Sequence, residues 1–422
     1  MSSILLTNAR IWDARPESSP DAPPLPGELL VEGNRIAALA RAGERIDRSR
    51  AEQVIDCAGQ FLMPGLVEGH AHLSFVGIAQ NKELGEIPVE EHLLRTCRNA
   101  TLLLDHGFTS AYSAASAKLR LDVVVRNEIE AGLLAGPRLK AASPEITVTA
   151  GLGDERRLHL HAESFGMIAD GPDEIRRAVR LCAREGVDTI KINISGDDFV
   201  PHAKAAVTAM SHAEIAAAVE TAHDFGKRVS SHSRAAESVK RAVRLGVDCI
   251  YHCESADAEA IDLLEAAKDR IFVGPAVGLL YNCVHDAASS GMSPESVRML
   301  GLDRGFERTC ETYRELRKRG VRIVVGGDYG FAMTPMGQNA RDIGHFVRFF
   351  GFTPGEALVA ATRTGGELMG HPGEIGVLQA GAFADLLLVD GDPLADPSVL
   401  VGPTRLKLIM KDGRLHKDPR RP

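Results

Sequence analysis

Between Asp170 and Tyr251 the chain alternates helix-period and strand-period segments, the pattern of a parallel sheet covered by crossover helices. Pro172 sits near a helix start, and Asp173 and Glu174 suit its positive end. Ile175, Ala178, Val179 and Cys182 then recur at helical spacing. Gly186 stops that helix and a strand over 189–192 follows. The plan repeats with a helix over 211–225, a strand over 228–231, a helix over 235–245 and a strand over 248–251. Enough such units fit between Gly65 and about Gly373 to predict an α/β fold, a (β/α)8 TIM-like barrel.

The two ends read differently. Short β-type runs separated by turns fill the first sixty residues, and runs at 384–391 and 406–413 continue the pattern at the other end. A small β-sandwich domain formed by both termini is expected, from 1–63 and 374–422, around the barrel over 64–373. The 422 residues suffice for one large and one small domain. The formal charge of −8 is spread without long runs, which argues against nucleic acid or an anionic membrane as partner and for a small molecule. Seven cysteines form no CxxC pair, and the first residues lack a cationic region followed by an apolar stretch, so a cytoplasmic protein is expected.

In such a barrel, polar residues at the C-terminal ends of the strands are the first candidates for chemistry. His70 and His72 lie two apart on an extended segment, so both imidazoles can face the barrel mouth and share a metal ion; a pair of surface histidines is the plainer reading. His159 and His161 show the same spacing in a polar stretch away from any strand end. Lys191 lies within an apolar strand, where an unpaired ammonium is very costly. It either pairs with a barrel carboxylate or, with a depressed pKa, adds carbon dioxide to become a carbamate able to bridge two divalent ions. His232 and His252 end consecutive strands at one level. Asp328 ends the apolar run 322–327, whose Gly326 and Gly327 permit close approach of ligand or backbone; it is placed to hold a metal and take a proton from water. Tyr251 is expected to point away from His252, towards the helices.

The order HxH, Lys, His, His, Asp on strands one, four, five, six and eight resembles the amidohydrolase superfamily. So do the segments FLMPGLVEGHAHL (61–73) and GVLQAGAFADLLLVDGDP (376–393). The resemblance spans nearly the whole chain and is nearest to the branch with Xaa-Pro dipeptidases, ochratoxin-degrading amidohydrolases and imidazolonepropionases. It implies two divalent ions, zinc first among the candidates. His70, His72 and Asp328 would hold the more buried one and His232 and His252 the more exposed one, with carboxylated Lys191 bridging both. A homo-oligomer is the family tendency. One departure stands out: many prolidase-like relatives carry Gly-His-Gly-Asp after the third strand, and this chain reads Gly151-Leu152-Gly153-Asp154. Leu152 cannot donate the hydrogen bond that the histidine gives to substrate; His159 or His161 of the same loop are candidate substitutes.

On this reading a metal-activated hydroxide cleaves the amide C–N bond of an N-acyl amino acid or dipeptide-like substrate, with Asp328 relaying the proton to the leaving nitrogen. Ring opening of a cyclic amide or imidazolone, and a non-catalytic binding protein on the same scaffold, are the alternatives. Specificity is expected from the loops 274–304 and 329–341. There Leu279, Leu280, Tyr281, Met292, Phe331, Met333 and Met336 are candidates for an apolar pocket, and Arg341 for binding a substrate carboxylate.

Overall fold

The computed structural model describes residues 3–41, 43–159, 163–286 and 292–420. Its centre is parallel β-structure wrapped by helices. Leu66–Ala71, Phe108–Ser113 and Arg138–Lys140 form one parallel sheet; Ala142–Thr147, Thr189–Asn193, Arg228–Ala235, Cys249–Ser255 and Phe272–Gly274 form another, with Met167–Ile168 on its edge. Only Ala141 separates Arg138–Lys140 from Ala142–Thr147, so one stretch of chain feeds both sheets. At the other side the segment 322–325 makes a single parallel bridge, Ile323 to Val273. Its main chain is shared out: Val273 N–H donates to Arg322 O (3.0 Å), Val324 N–H to Val273 O (2.9 Å), and Gly69 N–H to Val325 O (2.8 Å).

The helices form where the sequence periodicity places them. Gly171–Arg184 starts with proline in its first turn and buries Ile175, Ala178, Val179 and Cys182. His212–Asp224 opens on a capping box, in which Ser211 accepts from Glu214 N–H and the Glu214 side chain accepts from Ser211 N–H. Ala236–Arg244 precedes the strand Cys249–Ser255. The region 274–304, expected as a loop, holds the helices Val277–His285 and Pro294–Leu300, and Leu302 begins a third. Its apolar residues, Leu279, Leu280 and Val297 among them, are buried at helical spacing.

Both chain ends meet in one hydrogen-bonded sheet of eight strands. Ser3–Ile11, Leu25–Glu32, Arg35–Arg41, Gln53–Asp56 and Phe61–Pro64 come from one end, and Leu386–Val389, Leu406–Lys411 and Arg414–Lys417 from the other. The halves join where Phe61–Pro64 lies antiparallel to Leu386–Val389, Leu62 opposite Leu388. The apolar run 61–67 is therefore divided between two strands. The chain crosses from the terminal sheet to the parallel one at Gly65, where a side chain would collide with Thr109.

Arg138 ties the two parts together. Its guanidinium lies 3.8 Å over the Phe383 ring and pairs with Asp385, which is 3% exposed, and with Asp412. Replacing it by methionine strands the Asp385 carboxylate, so Arg138→Met should lose about 3–5 kcal/mol in urea unfolding. A loss below about 1 kcal/mol would show that water reaches Asp385.

Candidate metal centre

Six side chains expected to ligate metal converge at one end of the parallel strands. His70 lies in Leu66–Ala71 with His72 just beyond it, Lys191 in Thr189–Asn193, His232 in Arg228–Ala235 and His252 in Cys249–Ser255; Asp328 follows the segment 322–325. All are buried, Lys191 and His70 to 1% exposure. Ligand atoms of His70, His72 and Asp328 lie within 4.8 Å of one another. His72 Nε2 is 3.1 Å and His70 Nε2 3.7 Å from Asp328 Oδ1. The imidazoles continue across the mouth, with ring centres 5.5 Å apart for His70 and His252 and 4.2 Å for His252 and His232.

The hydrogen bonding fits a metal. Both ring nitrogens of His70 and Nδ1 of His252 are buried without a partner, an arrangement that a protein tolerates where something else fills the gap. His72 Nδ1 lies 3.3 Å from Ala115 O and His232 Nε2 lies 3.1 Å from Gly196 O. Donation there leaves the opposite nitrogen of each ring with a free lone pair, the usual outer support of a metal-binding histidine. Burial holds His70, His232 and His252 far below the ordinary imidazole range and so keeps them neutral. Burial also lowers Lys191. Burial pushes the Asp328 carboxyl up, but the surrounding His70, His72 and Lys191 outweigh it and hold it well below the usual carboxylate range.

The backbone is strained here. His252, Cys253 and Asp328 have φ of 77°, 59° and 62°, a region that non-glycine residues rarely adopt. That twist corrects the expectation for Tyr251. Alternation fails past Tyr251, so its ring lies inside, stacked 3.9 Å from His70, with Lys191 Nζ 5.3 Å from the ring centre. Its hydroxyl donates to Gly69 O (2.7 Å), and Gly274 leaves room for the ring, since a Cβ there would come within 2.8 Å of it. Gly326 and Gly327 admit backbone closely, as expected: a Cβ at 326 would stand 2.5 Å from His70 Cβ, and one at 327 would overlap Asp342.

Sequence reasoning missed the carboxylates behind the ligands. Glu68 is fully buried and its carboxyl is pushed up to about 8 by burial; it accepts from His70 N–H (3.1 Å) and Asn339 Nδ2 (2.8 Å). Arg234, two residues beyond His232, donates to Asp197 (2.9 Å) and Glu254 (2.7 Å). Glu145 Oε1 lies 3.9 Å from Lys191 Nζ. A charged residue inside an apolar strand was the available signal for Glu68 and Glu145.

The six side chains open into a cavity of about 560 Å³. Leu152, Leu279, Phe331 and Met333 line it, as does Phe75, which packs edge to face on Phe165 and Phe331. Leu280, Tyr281, Met292 and Met336 do not line it. Arg341 is also elsewhere: it borders a separate cleft, where it pairs with Asp286 (2.7 Å) and bonds Asn282 and Gln338, and these contacts occupy its guanidinium. His159 is exposed, and His161 lies outside the described residues.

A sequence model of the amidohydrolase family matches residues 61–416. Ochratoxinase from Aspergillus niger is 27% identical over 428 residues, covering 94% of this chain and 85% of that protein. Imidazolonepropionase from Ralstonia nicotianae is 26% identical over 401 residues, covering 92% of each. The crystal structure of a prolidase complexed with N-methylphosphonate-L-proline superposes with a TM-score of 0.88 at 26% identity, covering 99% of this chain and 100% of that one. Among the described residues no helix is long and apolar enough to cross a membrane.

The inward position of Tyr251 has a measurable cost. Tyr251→Phe leaves the Gly69 carbonyl without its buried donor and should destabilise the metal-free protein by about 1–3 kcal/mol in urea unfolding. A ring facing the helices would lose less than about 0.5 kcal/mol.

Proposed function

The chain belongs to the amidohydrolase family and is a hydrolase of carbon–nitrogen bonds, and on that premise we propose that it cleaves the exocyclic amide of a small, partly aromatic substrate at a binuclear metal centre. The observation that carries this is the set of unpartnered ring nitrogens on His70 and His252, whose ring centres lie 5.5 Å apart in one buried mouth. His70, His72 and Asp328 would hold one divalent ion and His232 and His252 a second. Lys191, as a carbamate, would bridge them, formed when neutral Nζ bonds to carbon dioxide and releases a proton. Imidazole, carboxylate and carbamate suit zinc. With Arg138–Lys140 and Ala142–Thr147 taken as one interrupted strand and 322–325 as the last, eight parallel segments would close as a (β/α)8 barrel that fixes all six.

Bound divalent ions supply two things, a water acidified towards hydroxide and polarisation of the scissile carbonyl. The protein does the rest. Asp328 is ionised in this setting, so its carboxylate can accept the proton of the attacking water and deliver it to the leaving nitrogen, which departs poorly unprotonated. Phe75, Phe165 and Phe331 give the cavity an apolar aromatic wall that excludes water from the reacting bond.

A mononuclear centre is the second reading, favoured by the Glu145 carboxylate 3.9 Å from Lys191, an ion pair in place of the carbamate. Metal content by mass spectrometry on wild type and Lys191→Ala separates the two. The binuclear reading expects about two ions per chain in wild type, and in the variant a sharp fall with about 10²-fold or greater loss of amide hydrolysis. One ion, unchanged by the substitution, overturns it.

A further inference from the structure

The six proposed ligands leave part of the cavity's polarity unexplained. Besides them, its buried polar wall residues are Glu145 and Asp197. Asp197 is fully engaged: Oδ2 accepts from Arg234 Nε (2.9 Å), Oδ1 accepts from Phe199 N–H (3.0 Å), and Arg234 continues to Glu254. Glu145 is different. Its Oε2 accepts from Asn193 Nδ2 (2.5 Å), and Asn193 is pinned in turn by a bond to Leu152 O (3.0 Å). The carboxylate is thus locked in place at 5% exposure. Its Oε1 has Lys191 Nζ at 3.9 Å, beyond hydrogen-bond distance.

Once Lys191 is a carbamate, that facing cation becomes an anion. Among the described residues, the other cations lining the cavity are Lys82 and Arg157, both exposed at its mouth. A fixed carboxylate oxygen then points at buried space beside a like charge, a costly state unless a donor arrives with the substrate. An ammonium meets the need, because it brings positive charge and three N–H donors on one atom. An acylated nitrogen brings a single neutral N–H and a carbonyl that must be buried against the carboxylate.

We propose that Glu145 selects substrates carrying a free, protonated amine on the acyl side of the scissile bond, so that the amides cleaved are unblocked aminoacyl amides and not N-acylated ones. The inference rests on the carbamate reading of Lys191. Leu152 and the aromatic wall of Phe75, Phe165 and Phe331 receive the side chain of that aminoacyl group, and the exposed Lys82 and Arg157 face whatever leaves through the mouth.

The test uses two ligands that differ only in the blocking group, L-phenylalanine and N-acetyl-L-phenylalanine, titrated calorimetrically into the zinc-loaded full chain and into Glu145→Gln. Wild type should bind the free amine at least about tenfold more tightly, and Glu145→Gln should lose that preference while keeping its metal content. Equal or tighter binding of the N-acetyl compound by wild type, or a preference that survives in Glu145→Gln, overturns the proposal. So does a fall in metal content in Glu145→Gln, which would make Glu145 a ligand. Carbon-13 NMR of the same wild-type sample, loaded with labelled bicarbonate, reports the carbamate separately. A missing carbamate resonance overturns the Lys191 reading and the selector built on it; a resonance present without amine preference overturns the selector alone.

Discussion

Four imidazoles, a lysine and an aspartate buried together at one end of an apolar sheet are the constraint on which the remainder of the structure depends. None of these groups sits in such a place without compensation, and the protein's own compensation is incomplete. Both His70 nitrogens and His252 Nδ1 lack partners, and each such group costs about 1–3 kcal/mol as long as it stays bare. Bound divalent ions would remove that cost. Left-handed backbone at His252, Cys253 and Asp328 lies at the same place, and each such residue is worth about 1–3 kcal/mol of strain.

Around the ligands runs a layer of groups that hold rings and backbone still. Carbonyls of Ala115 and Gly196 fix the orientation of His72 and His232. Tyr251 lies under His70 and hooks onto Gly69, and Glu68 takes the His70 N–H, so His70 is gripped on its ring face and on its main chain. Glu68 is two residues before His70 and Tyr251 one before His252. The outer layer is therefore written into the same strands as the ligands, and a shift of one strand would move both together.

The sequence made the periodic parts legible. The helices at 171–184, 212–224 and 236–244 and their following strands lie within a residue or a few of their expected limits, because each has a clear stop in Gly186, Gly226 or Gly246 and a single buried stripe. The convergence of His70, His72, Lys191, His232, His252 and Asp328 at one mouth was legible too, because they are polar residues at the ends of apolar runs. What escaped depended on contacts distant in sequence. The inward turn of Tyr251 is imposed by the backbone at His252, and the engagement of Arg341 by Asp286. Neither leaves a periodic trace. The region 274–304 was misread for another reason: its helices are short and separated by polar turns, so composition outweighed periodicity.

Substrate recognition follows from where charge is absent as much as from where it is present. Arg341 is spent outside the cavity, Arg234 is neutralised by two carboxylates, and Leu152 stands where a donor was expected. Among the described residues, an anionic group on the substrate therefore meets free cations at the mouth and not at depth. At depth the described wall is apolar apart from the six proposed ligands and the buried carboxylates Glu145 and Asp197. Asn193 makes this one unit, since its amide donates both to Glu145 and to the Leu152 main chain. The polar contact at position 152 is thus made by the backbone, and its side chain is free to be leucine. With an apolar side chain at 152 and a fixed carboxylate at 145, this part of the wall accepts hydrogen bonds and gives none.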